Sequence, residues 1–552
     1  MNRLSALALL LAIVGALALR LPHLDARPLH NDEAVNAIKL AALIDHGEYA
    51  YDPHEYHGPA LHYFSRAILW FAGVKNSSQL NDITLRLTPV AFGAGLILLL
   101  ILFADGLGST AILCAAIFLA ISPAMVFYSR YFIHEMLLVF FTALTIGAGW
   151  RYVQTRLARW AVVAGAGGGL MWATKETFVL QLAAMFIAAI LTWQWERRRS
   201  LGDSSLSPSD GERAGVRGNL LTATTWLHIS LAVFTMLLVW LAFFSSFFTH
   251  WRALEDSFRT YQPWLVRVGG DSPHLHPWNF YLERLAWHPG KHVVWSEGLI
   301  LLLALIGAGV SLFGKKSSLH HFLALYTILL AAIYSAISYK TPWCLLGFLY
   351  GMVLLAGIGA ETLWGLCHSR RLRWLTISVL SVLAIQLTAQ SWRTSVTQAT
   401  NRRNPYAYAQ TLPPARELVE RIEALAKIHP AGHAMTVKVI SPESYWPLPW
   451  YLRDYSRVGW WDQLPSDALA PVVVVSANLH AALDEQTDKR WLMVGYYEIR
   501  PQVFFELYVE LELWKKYIST LPPPTDSPSE LGEGNWRRAP VPGAATSHRK
   551  AT

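Results

Sequence analysis

The chain has 552 residues, of which 53% are hydrophobic and 15% are charged, and its formal net charge at pH 7 is +8. This composition is too apolar for a soluble protein of that length and predicts a polytopic α-helical membrane protein. Because the basic residues cluster between apolar segments, the positive charge indicates membrane orientation and argues against a nucleic-acid partner. The three cysteines, Cys114, Cys344 and Cys367, lie in or beside apolar segments, which excludes a disulfide framework and a cysteine-based metal site.

Apolar runs long enough to cross a bilayer core, which takes about 20 residues, recur along the first 390 residues. They predict about eleven transmembrane helices, near residues 5–21, 88–104, 109–127, 133–150, 160–173, 177–195, 223–247, 298–313, 320–338, 342–360 and 374–390. The first run follows Arg3 as a signal peptide would, but no small-residue cleavage site follows it, so we predict an uncleaved helix. The fifth run is rich in glycine, which favours close packing against a neighbouring helix.

Orientation follows from lysine and arginine in the short loops. With a cytoplasmic N-terminus, every basic cluster faces the cytoplasm: Arg151, Arg156 and Arg159; Arg197, Arg198 and Arg199; Lys315 and Lys316; Arg370, Arg371 and Arg373. The outer loops 22–87 and 249–297 then face outward. We predict a multi-pass protein of the cell inner (plasma) membrane whose membrane domain covers residues 1–390.

Several segments outside the apolar runs have a recognisable character. Residues 59–73 have helical amphipathic spacing and predict a helix along the membrane surface. The cytoplasmic loop 200–218 is polar and predicts a disordered insertion. The outer loop 249–297 is rich in Trp, His and Pro, as in His274-Leu275-His276, which is typical of interfacial anchoring, with a sugar- or lipid-facing wall as the alternative.

The chain beyond residue 391 is less apolar. A helical pattern at 413–427 and strand patterns near 435–440 and 471–475 predict a small extracytoplasmic α/β domain over residues 391–520. The tail 521–552 is rich in Pro, Ser and Gly and predicts disorder.

Five short polar motifs all fall in the loops predicted to face outward. They are His30-Asn31-Asp32-Glu33, Tyr56-His57-Gly58-Pro59, Ser129-Arg130-Tyr131 through His134-Glu135, Thr174-Lys175-Glu176-Thr177 and Tyr339-Lys340-Thr341-Pro342-Trp343. Their shared side of the membrane predicts that they form one active site.

The carboxylates of these motifs are candidates for base or metal chemistry. Asp32 and Glu33 follow the first helix closely, and desolvation near a membrane makes such a pair costly. The alternative is a solvated loop or a helix start capped by Asp32. Glu135 opens the fourth predicted helix, where the helix dipole alone would also favour a carboxylate.

Three cations accompany the carboxylates, namely Arg130, Lys175 and Lys340. Such a mixture suits a reaction in which a carboxylate deprotonates an acceptor and cations stabilise a departing phosphate. A metal ion bridging carboxylates and phosphate would do part of that neutralisation. Lys340 alone is also consistent with a lysine that snorkels at a helix end.

The motif order resembles the GT-C glycosyltransferases, in particular the branch that contains protein O-mannosyltransferases and lipid A aminoarabinose transferases and, within it, a flippase-associated subfamily. The resemblance rests on the acidic motif after the first helix, on His57-Gly58-Pro59, and on the motifs around Glu135 and Lys175, and it covers roughly residues 1–390. It implies a GT-C-like fold, polyprenyl-phosphate-linked sugars as donors and a soluble outer C-terminal domain.

The resemblance also implies residue roles. Asp32 matches the catalytic base, with Glu33 beside it, and Glu135 matches a second acidic position that serves a divalent cation (Mg or Mn), shared with Asp32, or the acceptor. Arg130, Lys175 and Lys340 are implied to hold the lipid phosphate.

The other motif residues, His57, His134 and Glu176, are implied to bind substrate, and His57 stands where some relatives carry lysine. Trp460-Trp461-Asp462 is similar to a signature of oligosaccharyltransferases, but it lies in the predicted soluble domain and we interpret it as a coincidence.

The leading hypothesis is an inverting glycosyltransferase that moves a sugar from a polyprenyl-phosphate donor to a cell-envelope glycan, lipid or protein on the outer face. The alternative is a non-catalytic flippase-associated or lipid-linked glycan transport protein, which would tolerate asparagine at position 32. Against transport, the predicted helix centres carry almost no charge.

Overall fold

The computed structural model describes residues 3–54, 57–203, 223–269, 274–290, 294–314 and 316–522. Tyr56, most of the predicted insertion 200–218 and nearly all of the predicted tail 521–552 lie outside the described residues. Contacts divide the described chain into two units. The helical unit comprises residues 3–417, Ser444–Arg453 and Glu498–Phe504, and the sheet unit comprises Leu418–Glu443, Asp454–Tyr497 and 505–522. The domain boundary at residues 390 and 391 stays a prediction.

Helices account for most of the helical unit. They are α1 (Arg3–Arg20), α2 (Asn31–His46), α3 (Ala60–Phe71), α4 (Asp82–Leu99), α5 (Ala104–Leu107), α6 (Ser109–Ile121), α7 (Pro123–Tyr128), α8 (Glu135–Thr155), α9 (Ala158–Trp172), α10 (Phe178–Asp203), α11 (Ala223–Phe244), α12 (Ala253–Arg259), α13 (Tyr261–Gly269), α14 (Phe280–Ala286), α15 (Gly298–Phe313), α16 (Ser318–Ala336), α17 (Leu346–Leu366) and α18 (Arg370–Trp392). A two-stranded antiparallel hairpin, β1 (His288–Pro289) and β2 (Val294–Trp295), lies between α14 and α15.

Within the described part of the chain, eight helical stretches are long and apolar enough to cross a membrane, and α6 and α15 are shorter apolar helices. With the glycine-rich α9, they coincide with the eleven segments predicted from the sequence. The prediction of a polytopic helical membrane protein is confirmed.

Breaks between helices place the motifs in the connecting turns. Ser122 and Pro123 end α6 and start α7, because proline has no N–H to continue the α6 ladder, and the Ser122 hydroxyl accepts from Met125 N at 3.4 Å. Pro342 likewise begins a 3₁₀ turn, Pro342–Leu345, directly before α17. The motif with Arg130 follows α7, and the motif with Lys340 precedes α17.

The glycines of α9 allow the close helix packing predicted from the sequence. A Cβ atom at Gly165 would lie 2.1 Å from the carbonyl oxygen of Ala232, and one at Gly169 would lie 2.6 Å from that of Met236. Both contacts are with the backbone of α11, so no side-chain adjustment would relieve them. The two helices therefore pack backbone to backbone.

The chain after α18 contains α19 (Pro414–Ile428), α20 (Leu448–Tyr451), α21 (Leu483–Gln486) and α22 (Leu511–Ser519), with strands β3 (Val437–Ile440), β4 (Val458–Trp461), β5 (Val472–Ser476), β6 (Trp491–Arg500) and β7 (Val503–Glu510). The strand order is β4-β3-β5-β7-β6, with β3 parallel to β4 and β5, and β5 antiparallel to β7. Every residue of β5 is buried, as its unbroken valine run predicts. The predicted C-terminal α/β fold is confirmed.

Candidate active site

Glu33 lies at the centre of a buried ion network. Arg27 Nη1 donates to its carboxylate at 2.5 Å, and Arg86 Nε and Nη2 donate at 2.8 and 2.9 Å. The backbone N–H groups of His30 and Phe132 also donate to it, each at 2.9 Å. Burial alone would raise the pKa of Glu33, but the charges of Arg27 and Arg86 outweigh burial and hold that pKa well below its usual range. Glu33 therefore joins the first outer loop to α4 and to the turn after α7.

Asp32 is the exposed carboxylate of the same motif, with 39% of its side chain accessible. The N-cap of α2 is His30, whose Nδ1 accepts from the N–H of Asp32 at 3.2 Å, and Glu33 completes the capping box. The capping alternative for Asp32 is therefore wrong. Burial lowers the pKa of His30, so the ring is neutral and can accept. Asp32 lies in the first turn of α2.

The second and fourth motifs pair with each other through their backbones. His57 and Lys175 form an isolated antiparallel β-bridge. A Cβ atom at Gly58 would lie 2.1 Å from the carbonyl oxygen of Ala173, so this approach requires glycine. His57 Nδ1 lies 2.9 Å from Glu176 Oε2. Burial alone would raise the pKa of Glu176, but the charge of His57 and its hydrogen bond lower it.

The third and fourth motifs meet at an ion pair between the Lys175 ammonium and the Glu135 carboxylate, whose side chains are only 6% and 7% exposed. Burial alone would lower the pKa of Lys175, but Glu135 raises it above its usual value. The pair lines a small cleft together with Trp343, Tyr334 and Cys344. Most of the other lining residues are apolar, so the Lys175 ammonium would interact strongly with an anionic group that entered there.

His134 connects the third motif to the second, because its Nε2 lies 3.1 Å from the carbonyl oxygen of Gly58. Its ring centre is 4.9 Å from that of His57 and 5.8 Å from that of His62, a residue that the sequence analysis did not select. Burial, followed by the neighbouring His57 and His62, lowers the pKa of His134 far below its ordinary value. The ring is therefore neutral and donates from Nε2 to Gly58.

Arg130 donates to backbone carbonyls at the end of α1: Nη1 bonds to Arg20 O at 2.9 Å and to Pro22 O at 2.6 Å, and Nη2 bonds to His23 O. Burial, and after it the positive charge of Arg27, lowers the pKa of Arg130 to about 9. In this structure Arg130 secures the chain that leaves α1, and phosphate binding by Arg130 stays a prediction.

Lys340 contacts the third outer loop. Its N–H donates to His274 O at 2.9 Å, and its ammonium donates to His276 O at 3.2 Å and to Ile337 O. Burial lowers the pKa of Lys340. The contact with Ile337 is of the kind that the snorkelling alternative describes, a lysine at a helix end. The contacts with His274 and His276 place the outer loop directly against the fifth motif.

Other residues at the site were missed by the sequence analysis. Arg284 of α14 lies 3.5 Å from the ring centre of Phe280, and its buried Nε has no hydrogen-bond partner among the described residues. Glu297 is fully buried and accepts from Ser122 Oγ at 2.6 Å and from Ala124 N at 2.7 Å. The abundance of Trp, His and Pro in residues 249–297 was the signal in the sequence.

The structure thus brings the five motifs together. Glu33 contacts Phe132, His57 contacts Glu176, and His134 contacts Gly58. The fifth motif joins them through Trp343, whose ring centre lies 5.7 Å from that of His30 and which also lines the cleft with Glu135 and Lys175.

A divalent cation has less support. In the part of the chain that the structure describes, no three His, Cys, Asp or Glu residues are arranged to hold a metal. The Glu135 carboxylate faces the Lys175 ammonium, so a cation there would have to displace a salt bridge. Metal ligation by Asp32 and Glu135 stays a prediction, and the residues present do not by themselves form a site.

Comparison with known proteins adds independent findings. Residues 57–205 match the profile of the dolichyl-phosphate-mannose-protein mannosyltransferase family, a span that begins within the second motif and contains the third and fourth. Comparison with curated protein sequences gives no match.

The fold is similar to that of several solved membrane proteins. ArnT from Cupriavidus metallidurans, bound to undecaprenyl phosphate, superposes with a TM-score of 0.58 at 14% identity, over 91% of this chain and 98% of that one. The oligosaccharyltransferase AglB from Archaeoglobus fulgidus, in complex with an inhibitory peptide and a dolichol-phosphate, gives a TM-score of 0.51 at 12% identity, over 93% of this chain and 77% of that one.

The chain has the GT-C fold. The fold that the resemblance of the sequence motifs implied is confirmed. A further structure of the Archaeoglobus fulgidus oligosaccharyltransferase, in complex with Zn and sulfate, has a TM-score of 0.50 at 13% identity, over 92% of this chain and 76% of that one. At these identities the likeness establishes the GT-C fold and leaves the roles of individual residues to chemical argument.

Proposed function

We propose that this GT-C protein transfers a sugar from a polyprenyl-phosphate-linked donor to a cell-envelope acceptor on the extracytoplasmic face of the cell inner membrane. The observation that supports the proposal is an indirect link between the exposed Asp32 and the buried Glu135–Lys175 pair. The N–H of Asp32 donates to His30, the His30 ring lies against Trp343, and Trp343 lines the cleft of the pair. Two of the solved relatives were captured with polyprenyl phosphates, which supports a lipid-phosphate donor.

Asp32 is the proposed general base. It takes the proton from the acceptor hydroxyl or amine as the acceptor oxygen or nitrogen bonds to the anomeric carbon of the sugar. The bond between that carbon and the phosphate oxygen breaks on the opposite face, and its electron pair goes to the phosphate. The configuration at the anomeric carbon is therefore inverted, and the polyprenyl phosphate leaves as an anion.

Lys175 and Lys340 are the proposed phosphate-binding cations, and His57 lies beside Lys175 in the bridged turns. Lys175 would exchange part of its pairing with Glu135 for the phosphate, and Lys340 would exchange a backbone carbonyl. Both exchanges keep the ammonium bonded in a site of low polarity, where electrostatic stabilisation of the leaving group is strong. We propose that Glu33 takes no part in the reaction and instead holds α2, the helix that contains Asp32, in place.

Sugar release from a panel of labelled polyprenyl-phosphate sugars by the purified protein in lipid tests the proposal. We expect transfer or slow hydrolysis by the wild type and loss of about three orders of magnitude in Asp32→Asn, because general base catalysis contributes about 10²–10⁴-fold. Asp25→Asn is the matched control, since Asp25 is an exposed aspartate of the same loop.

The transport alternative predicts a different result. A protein that only carries or presents a lipid-linked glycan would bind donor without releasing sugar, and Asp32→Asn would bind and move it as well as the wild type. Donor binding without turnover by either protein would therefore overturn the transferase proposal in favour of the flippase-associated role.

A further inference from the structure

A short segment between α18 and α19 contacts three of the outer loops, namely 22–87, the turn after α7, and 249–297. We call residues 404–411 the strap. Asn404 anchors its start, donating from Nδ2 to Thr394 O and Gln398 O at 3.0 Å each. At its end, the Thr411 hydroxyl donates to Leu29 O at 2.7 Å, directly before His30. The strap has no periodic apolar pattern, and the sequence analysis gave it no role.

Three polar side chains of the strap make hydrogen bonds to distant parts of the chain. Tyr406 donates from its hydroxyl to Glu297 Oε1 at 3.0 Å, and Gln410 Oε1 accepts from the hydroxyl of Tyr131. Between them, Tyr408 reaches the third outer loop. The backbone turns through a left-handed conformation at Ala409, with φ of 47°, an uncommon state for a residue with a side chain.

Tyr408 makes the most informative of these contacts. Its hydroxyl lies 2.8 Å from His274 Nδ1 and 3.0 Å from His276 Nε2. A phenol has one hydrogen, so it donates to one of these nitrogens and accepts an N–H from the other. Burial raises the pKa of Tyr408 to about 12, and burial with Arg284 lowers the pKa of His276 to about 4. At neutral pH the phenol is protonated and His276 is neutral, and one hydroxyl sets the tautomers of two rings.

Both of these histidines accept hydrogen bonds from Lys340 through their backbone carbonyls. His274 O accepts the Lys340 N–H at 2.9 Å, and His276 O accepts from its ammonium at 3.2 Å. The Tyr408 ring also lies 6.2 Å from that of Trp343, which borders the cleft. Tyr408 is therefore connected to the Lys340 ammonium through His276 and to the Lys340 backbone through His274.

We propose that Tyr408 is a positioning residue, which acts through His274 and His276 to hold the Lys340 ammonium where it receives the phosphate of the lipid donor. This inference rests on the proposed function, in which the phosphate belongs to the lipid donor. Tyr408 itself touches neither the sugar nor the acceptor.

Tyr408→Phe removes the hydroxyl and keeps the ring against Trp343. We expect the KM for the lipid-phosphate sugar and the Kd for undecaprenyl phosphate alone to rise about three- to tenfold, as for the loss of one or two hydrogen bonds. At saturating donor, kcat should stay within about twofold and the thermal unfolding temperature should be unchanged. Tyr455→Phe is the matched control, because that hydroxyl donates to Glu423 at 2.9 Å within the sheet unit.

A double-mutant cycle with His276→Asn separates positioning from general loosening of the structure. If Tyr408 acts through the histidines, Tyr408→Phe should add little to the rise in Kd already caused by His276→Asn. Full additivity of the two changes would contradict the proposed route.

Binding of undecaprenyl phosphate and sugar transfer, measured in parallel, distinguish the possible failures. Wild-type affinity in Tyr408→Phe would overturn the inference and leave the transferase proposal standing. Weak binding in Tyr408→Phe with no transfer by the wild type would support the inference and overturn the proposed reaction. Failure of the wild type to bind undecaprenyl phosphate would overturn both.

Discussion

Two adjacent carboxylates, Asp32 and Glu33, occupy opposite environments although the sequence presents them as a pair. Asp32 is 39% exposed, whereas Glu33 is fully buried between Arg27 and Arg86. Consecutive residues of a helix point about 100° apart, so α2 turns one carboxylate outward and the other into the protein. We therefore propose chemistry for Asp32 and a structural role for Glu33.

Glu33→Gln should destabilise the protein strongly. It leaves two buried guanidinium groups without a counter-charge, and breaking a buried ion pair typically costs about 3–5 kcal/mol. Thermal unfolding in detergent should show a lowered unfolding temperature for Glu33→Gln. Glu48→Gln, an exposed change in the same outer loop, should leave that temperature unchanged. Equal transitions for the two variants would refute the structural assignment.

The sequence could not reveal this division of roles. The pairing of Asp32 and Glu33 is visible in the chain, but Arg86 lies 53 residues from Glu33, at the end of the predicted outer loop 22–87. Its approach depends on how α4 packs, which apolar periodicity does not specify. Arg130 illustrates the converse, because a cation selected for phosphate is occupied by backbone carbonyls at the end of α1.

At the scale of elements, the bridge between the second and fourth motifs depends on one glycine. Gly58→Ala would place a methyl group 2.1 Å from the carbonyl oxygen of Ala173 and force the two turns apart. His57 would then lose its register with Glu176 and Lys175. Because a displacement of about 1 Å at an active site can cost about 100-fold in rate, we expect a loss in kcat/KM of that order.

Gly149→Ala provides the matched control, since nothing lies within 4 Å of a Cβ atom there. The measurement is kcat/KM of the two variants with the same donor. Unchanged kcat/KM in Gly58→Ala would show that the bridge between the turns is not needed for transfer.

The sequence predicts those helices and strands that are defined by a run of hydrophobic residues. All eleven apolar segments are helices, and the valine run of β5 is a buried strand. The strap of residues 404–411 was not predictable, because its order comes from the polar contacts of Tyr406, Tyr408 and Gln410 with distant loops and leaves no periodic signal.

At the scale of the whole molecule, buried neutral histidines make stability depend on pH. Burial lowers the pKa values of His30, His62 and His134 below the value of about 6.5 expected in the unfolded chain. The unfolded state therefore binds more protons as the pH falls below about 6.5, and folding stability decreases in that direction. Each such histidine contributes up to about 1.4 kcal/mol per pH unit.

We expect the unfolding temperature in detergent to fall between pH 7.5 and pH 5.5, and to fall less in His62→Phe, which removes one of these groups. His54→Phe, at an exposed histidine of the same loop, should keep the wild-type slope. Parallel slopes for all three proteins would contradict the contribution of buried histidine.

We propose that the five motifs build one lipid-phosphate site, and the most direct test is an experimental structure of the wild-type protein in lipid nanodiscs with undecaprenyl phosphate. We predict density for the phosphate in the cleft of Lys175 and Trp343, within hydrogen-bond distance of Lys175 or Lys340, on the side where Asp32 is exposed. A phosphate bound outside the five motifs, with the cleft closed around the Glu135–Lys175 pair, would contradict the claim.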